Sequence, residues 1–493
     1  MESQCFHEPR RIGDITRGRM LAEGHRHANL HRAAPSSKSQ EPSGLPVRPP
    51  HLAGHASPRS GYDAELAPWC PSVRSMPDVT PDAPFVPRSA LPWYLTSSSL
   101  WIAGMSLQGF LITWLLVGVL EAPADQVGFG RALIELPALA IILIGGVLAD
   151  RTNGRTLLIR MHLLMVLPGL VLAWVSSAGQ LRFWIVIGFG LAVSALQAMS
   201  DPARQAMLSR VTRTDIQRTV TITTIVASLA GLGGVWVGGK LDVIGLAPIL
   251  VLQALVFAVG ALPIRRLPEL PAIDPGRPID LLAGIRSIAG TPLIRNIIGL
   301  NLLSSLFNAG AYIIAIPFIV REVYQGDVGM FSTVLIAFTS GSIGSNVILL
   351  YFMPLKHPGR LFLVMQVTRA VILGVLLVKP SVWLFYGAMF AWGFNMGITT
   401  TLVRTTVQEL AAPAVRAQVL SVFIFSFMVA APISSMLLGQ LIAWADPLTA
   451  LLPGIVISLL IFSWGVPFSG LWQYAATAAT KPILRRDAAI SQG

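Results

Sequence analysis

The sequence predicts an all-α membrane protein with twelve transmembrane helices in two similar six-helix halves. Three observations carry that prediction. From Leu95 to Ser469, apolar runs of bilayer-crossing length follow one another with short charged gaps. Basic residues crowd every second gap. Similar residues also recur at matching places in the two halves, Arg204 with Arg404 and Gly239 with Gly439, both 200 positions apart.

Composition agrees with the run lengths. Of 493 residues, 53% are hydrophobic and 12% charged, against about 25% charged in soluble domains. Mean hydropathy is +0.65. The net charge of +12 would suit a nucleic-acid partner, but its placement argues against one. Arg151, Arg155 and Arg160 share one gap; Arg204, Arg210, Arg213 and Arg218 the next of the same kind. Arg265, Arg266, Arg277 and Arg286, then Lys356 and Arg360, then Arg404 and Arg416 continue the series. Alternate gaps hold little beyond Arg131, Arg182, Lys240, Arg321 and Lys379. The asymmetry predicts that the Arg-rich gaps and both termini lie in the cytoplasm.

Residues 1–92 are polar and rich in Pro, Ser, His and Arg. They are expected to form a disordered cytoplasmic tail. They hold no apolar region of secretory type. Met76 offers an alternative start that would remove much of this tail. His25, His27 and His31 lack a scaffold to act as metal ligands, and no metal or cofactor is expected. The only cysteines, Cys5 and Cys70, lie in the same tail. No disulfide framework therefore holds the membrane part.

Twelve spans follow. Those of the first half cover 97–119, 129–149, 156–176, 182–201, 219–240 and 244–264, within a domain of 93–264. A cytoplasmic linker, 265–293, contains a mildly amphipathic stretch from Ile279 to Ile288 suited to the membrane face. Those of the second half cover 294–320, 328–353, 360–379, 382–404, 417–441 and 447–468, within a domain of 294–468. The remaining 469–493 form a second cytoplasmic tail with a basic segment from Lys481 to Arg486.

The connection between spans 2 and 3 organises the chain: Gly145-Gly146-Val147-Leu148-Ala149-Asp150-Arg151-Thr152-Asn153-Gly154-Arg155. Asp150 ends a helix, where the backbone dipole disfavours an acid. It needs a cation or the positive end of another helix. Gly145 and Gly146 let a second helix approach. Asn153-Gly154 suits a turn with positive φ. Arg151 and Arg155 can meet anionic lipid heads.

Gly146-x-Leu148-Ala149-Asp150-Arg151-x-x-x-Arg155 resembles the loop between helices 2 and 3 of the major facilitator superfamily. The family pattern continues with Gly then Arg, where this chain has Asn153 and Gly154. Other stretches extend the likeness. Asp201-Pro202-Ala203-Arg204-Gln205-Ala206 with Val211 to Gln217, and Val407 to Leu410 with Pro413 and Val415 to Ser421, resemble the branch holding siderophore exporters, macrolide efflux pumps and lysophospholipid carriers. The likeness covers about Trp93 to Pro467. It implies the major facilitator fold, alternating access in the bacterial inner membrane, and function as a monomer.

In that fold spans 1, 4, 7 and 10 line a central cavity. Each carries polar or aromatic residues at helical spacing. The candidates are Trp101 and Gln108, Gln197, Asn301, Asn308 and Tyr312, and Asn395. Their mixture suits an amphipathic organic substrate. Interhelical hydrogen bonding for packing, about 0.6 kcal/mol each, is the plainer role for such residues. Glu135 and Asp201 are candidates for proton coupling. Arg131 lies one turn from Glu135, and Pro137 places Glu135 near a helix start, which favours a simple ion pair at the outer surface. Arg369 lies deep in span 9, where it needs a partner or a wet face; a structural or lipid-contact role and a functional one stand equal there, whereas His162 in span 3 is expected to be a packing residue. Asp150, Arg151, Arg155, Gly146, Arg204, Arg404 and Arg416 form the expected latch, with Asp150 meeting span 11 near Arg416.

Ala230 to Gly239 resembles the helix 5 glycine motif of proton-coupled drug exporters. Gly234, Gly238 and Gly239 match, and Val235 stands where that motif has proline. Gly234-x-x-x-Gly238 also permits close packing. The spacing Gly234 to Lys240 mimics a phosphate loop, but Leu241 replaces the required Ser or Thr inside an apolar helix. With no nucleotide site, an ion gradient must drive uphill transport.

The expectation is a secondary transporter, an antiporter exporting small amphipathic molecules against a proton or other ion. A lipid carrier is the alternative within the same class. A membrane enzyme would need clustered acids, His or Cys, which Glu135, His162 and Arg369 do not supply. A non-transporting membrane partner protein is the remaining alternative.

Overall fold

The computed structural model describes residues 90–149, 153–212, 216–269, 281–353, 355–412 and 415–476. All lie in one unit, Thr80–Gly493. The expected N-terminal tail with its histidines, Asp150 and Arg151 of the latch, and the segment Lys481 to Arg486 fall outside the described residues.

The long helices are α1 Ala90–Val119, α2 Ala124–Ala149, α3 Gly154–Ser177, α4 Phe183–Val211, α5 Ile216–Gly238, α6 Leu246–Ile264, α7 Pro292–Val323, α8 Val328–Phe352, α9 Pro358–Leu377, α10 Val382–Leu410, α11 Arg416–Trp444 and α12 Thr449–Phe468. Nine stretches among the described residues are long and apolar enough to cross a membrane. The other three helices, α2, α5 and α10, match them in length, with 26, 23 and 29 residues. They carry Arg131 and Glu135 in α2, a run of Thr in α5, and Asn395 with Arg404 in α10.

Local chemistry sets the ends. Asn153 caps α3 by accepting from the Arg155 N–H at 3.1 Å. Its φ is −61°, so this turn is not the left-handed one expected; the cap satisfies the first turn without it. Asp327 caps α8 in the same way, accepting from the Met330 N–H at 2.8 Å. Before α7, the linker helix Leu281–Gly290 packs on α11, with Gly284 against Gln418.

Three expected helix ends move. Pro202 and Arg204 lie inside α4, and Arg404 lies inside α10. Good helix formers, Gln205 to Leu208, follow Arg204, while α10 runs on past Arg404 because Thr406 and Val407 are buried against its neighbours. Gly439 likewise lies inside α11, five residues before its end at Trp444.

The packing repeats between halves. α1 packs on α5 and α6 as α7 packs on α11 and α12. α3 packs on α6 as α9 packs on α12, and α2 on α4 as α8 on α10. The repeat extends to irregular backbone. α1 and α7 both end in a wide π turn, Leu115–Val119 and Ile319–Val323, 204 positions apart. Each is followed by a non-glycine residue with φ +50°, Glu121 and Gln325. This is the predicted twelve-helix, two-half architecture.

The halves meet along α2–α11 and α5–α8. Contact is tight at one end. A Cβ on Gly128 of α2 would overlap the Ser435 carbonyl of α11. Ser332 of α8 donates to the Val235 carbonyl of α5 at 3.0 Å. Phe331 stacks on Phe110 and Trp114 of α1, with centroids 5.1 and 5.3 Å apart. Arg321 at the end of α7 pairs with Glu121 at 3.1 Å and donates to the Val117 carbonyl at 2.8 Å. These bonds seal the end opposite the Arg-rich connections.

Candidate functional site

Away from the seal the halves separate around a continuous set of cavities. A pocket of about 540 Å³ in the first half is lined by Trp101, Gln108, Arg131, Glu135, Gln197, Asp201 and Arg204. A pocket of about 460 Å³ in the second half is lined by Asn301, Ser304, Asn308, Arg369, Thr399, Arg404 and apolar residues of α11. Between them lies a pocket of about 440 Å³ with Tyr94, Arg204 and Gln205 on one side and Thr339 and Arg404 on the other. Next to the seal a pocket of about 250 Å³ holds Arg131, Phe110, Phe331 and Tyr312. Gln205, Ser106, Arg131 and Thr339 each line more than one pocket, which makes the space continuous.

The first-half wall carries both signs of charge. Arg131 and Glu135 are 4.0 Å apart on α2. The expected position near a helix start is corrected: α2 begins at Ala124, so Glu135 is eleven residues beyond it, about 16 Å along the axis. The pair therefore faces the cavity rather than the outer surface. Arg204, 8% exposed, places its guanidinium 4.5 Å from the Trp101 ring centroid. It donates to Ser98 and Ser200 at 3.4 and 3.3 Å, and Tyr94 donates to its carbonyl at 3.1 Å. These bonds tie α4 to α1. Arg204 is thus a cavity-wall brace in the first half.

His162 packs as expected. Its Nδ1 donates to the Leu158 carbonyl at 2.8 Å, and its ring lies 4.7 Å from Trp101. Gln108 accepts from Gln253 Nε2 at 2.6 Å, a tie between α1 and α6. Tyr312 packs against Phe338, 4.3 Å between centroids, beside the seal.

Asn395 is 2% exposed and turned toward α9. It donates to the Met365 carbonyl and to Thr368, both at 2.7 Å, and accepts from Arg369 Nε at 3.2 Å. Asn395 thus meets the cavity through Arg369. Sequence position leaves Arg369 open between a structural or lipid-contact role and a functional one; in the structure it lines the second-half cavity. Spacing alone does not separate it from peripheral residues of the same helix. Gln205, Thr339 and Gln253 escape sequence reasoning; their one signal is a polar group within an apolar run.

The glycines of α5 lie at the closed end. A Cβ on Gly234 would overlap the Ala103 carbonyl of α1; one on Gly238 would overlap the Phe110 ring; one on Gly239 would meet Ser332 of α8. Gly146 falls within α2. Arg155 lies in the first turn of α3, and Arg416 begins α11, donating to the Ala411 carbonyl at 3.5 Å.

A family model described as transmembrane secretion effector matches residues 83–474. The chain belongs to that family. Solved structures of major facilitator transporters share its fold. A point mutant of the nucleoside transporter NupG aligns with a TM-score of 0.63 at 15% identity, covering 76% of this chain and 98% of that one. A bacterial homolog of the human lysosomal transporter Spinster, inward-facing and unoccupied, gives 0.61 at 13%, covering 78% and 98%. A D-xylose–proton symporter gives 0.58 at 12%, covering 77% and 97%. None of the curated proteins compared matches the sequence. As a member of this family the chain is a multi-pass membrane transporter.

Proposed function

We propose that the protein is a proton-driven exporter of small amphipathic organic molecules, acting as a monomer in the bacterial inner membrane by alternating access. It would belong with the siderophore, macrolide and lysophospholipid branch. The carrying observation is a cavity between two pseudo-symmetric halves that is sealed at one end and lined by aromatic, amide and hydroxyl groups. The Arg-rich connections lie at the other end, which supports a cytoplasm-facing cavity and cytoplasmic termini. Bundles 93–264 and 294–468, joined by linker 265–293, rock about this space. The Glu135–Arg131 pair and Asp201 on its wall support proton coupling there. In the opposite state Asp150 would meet the start of α11 by Arg416 and latch the cytoplasmic end, helped by Arg151 and Arg155.

Cells with and without the gene, loaded with a compound panel, test the reading. Expression lowers accumulation of at least one amphipathic compound, and a protonophore restores it. Equal accumulation across the panel overturns the exporter assignment.

One observation favours lipid transport as the second reading. An apolar pocket of about 390 Å³ lies along α5 and α8, lined by Ile225, Ile343, Val347, Leu350 and Met353. Extraction of labelled lysophospholipid from the membrane, with no effect on the soluble panel, would select it.

A further inference from the structure

The geometry points to an anion subsite at Arg369 in the second-half cavity, which makes the substrate an amphipathic anion. This rests on the transporter reading and narrows it. Arg369 is 3% exposed, twelfth in α9, and surrounded by apolar helices. Among the described residues no carboxylate pairs with it; the ion pairs there are Arg131–Glu135 and Arg321–Glu121. All its partners are neutral. Nε donates to Asn395 at 3.2 Å, Nη1 to Ser304 and to Gln366, and Nη2 to Thr399 at 3.3 Å.

A guanidinium has five N–H donors. Four acceptors hold it, leaving one Nη2 hydrogen. Neutral acceptors orient the group but leave its charge unbalanced, and such a charge within a membrane protein is costly. The wall around it is built to receive the balancing group. Arg404 adds a second cation. Asn308, 6% exposed, lines the same cavity, its Oδ1 buried beside Gly454 of α12 and its amide donating to the Ser304 carbonyl at 2.7 Å. Phe423 and Phe427 of α11 provide an apolar wall for the remainder of the molecule. The shared chemistry is a carboxylate or phosphate on an apolar chain. The acids of the first-half wall stay apart from it, so proton and anion would occupy different halves.

The test measures quenching of tryptophan fluorescence in the purified full-length protein. One probe pair is N-dodecanoylglycine and its neutral amide, a free amphipathic acid. The other is dodecanoyl glycerophosphate and neutral dodecanoyl glycerol, a lipid headgroup. In at least one pair the anion should bind roughly tenfold tighter than its neutral partner, the scale of a charge-assisted hydrogen bond. The favoured pair identifies the source. Arg369→Gln should erase the margin, and Arg369→Lys should keep part of it. Asn308→Asp, which supplies an internal counter-charge, should erase it too and serves if Arg369→Gln inserts poorly. Equal binding of anion and neutral partner by the wild type, or a margin that survives Arg369→Gln or Asn308→Asp, overturns the subsite. Neutral compounds still exported from cells would in that case leave the exporter reading intact. An anion margin that Arg369→Gln erases, in a protein that exports nothing from cells, would instead uphold the subsite and overturn the exporter reading.

Discussion

Glu135 shows how one side chain changes meaning with its surroundings. Its sequence neighbour Arg131, one turn away, looks like an ordinary surface pair. In the folded chain the two sit 4.0 Å apart on a cavity wall. In the proposed cycle a carboxylate there exchanges its proton with water from one side of the membrane at a time. Glu135→Gln is expected to abolish uphill export driven by an imposed pH gradient in proteoliposomes. Substrate exchange without a gradient should persist, and Glu135→Asp should retain part of the driven rate. Gradient-driven export at the wild-type rate in Glu135→Gln would move coupling elsewhere, Asp201 first. Asn395 teaches the reverse lesson. Its spacing suggests direct lining, and its contacts instead tie α9 to α10 through Arg369.

At the element scale, α5 is readable because its glycines are spaced for close approach. The contacts assign Gly231, Gly234 and Gly238 their neighbours and leave Gly233 without one, which spacing could not. Gly234→Ala would force α5 off the Ala103 carbonyl and cost about 1–3 kcal/mol, the usual range for overpacking. Gly233→Ala, with nothing within 4 Å of its added Cβ, should leave stability unchanged or raise it. Melting of the two purified variants compares them directly. The start of α12 offers an electrostatic test. Asp446 accepts from the Leu448 and Thr449 N–H groups at 2.8 and 3.0 Å. The Thr449 hydroxyl and backbone, followed by Leu448, hold its carboxyl below the usual range despite slight burial. A depressed folded pKa adds stability above the unfolded value of about 3.9 and loses it as pH falls through the folded value. Asp446→Ala should cost about 1 kcal/mol near neutral pH. The gap to wild type should narrow at acid pH, while Asp446→Asn keeps the cap.

For the whole molecule, the seal is the feature that transport must break. Glu121 belongs to the first half and Arg321 to the second, and their pair closes one end. With Cys5 and Cys70 replaced by Ser, the pair Glu121→Cys and Arg321→Cys joined by a short bis-maleimide should stop export. The same variant left unjoined should still transport. Export that continues at full rate after complete cross-linking would mean that this end does not open during the cycle.

Much of this architecture is legible from solvent constraints alone. A bilayer imposes a minimum apolar length, so twelve spans can be read along the chain, and the charge asymmetry of its gaps is what the proposed orientation rests on. The Arg204–Arg404 correspondence exposes the repeat. The matched π turns at Leu115–Val119 and Ile319–Val323 carry no comparable letter pattern, because a wide turn depends on hydrogen-bond geometry more than on residue type. Which polar residues face the cavity is likewise undetermined along the chain. A helix offers one polar stripe to several neighbours, and only packing settles whether Asn395 meets α9 or Glu135 meets open space. The same packing leaves Arg369 charged and without an acid, because the groups around it come from α7, α9 and α10, far apart in the chain.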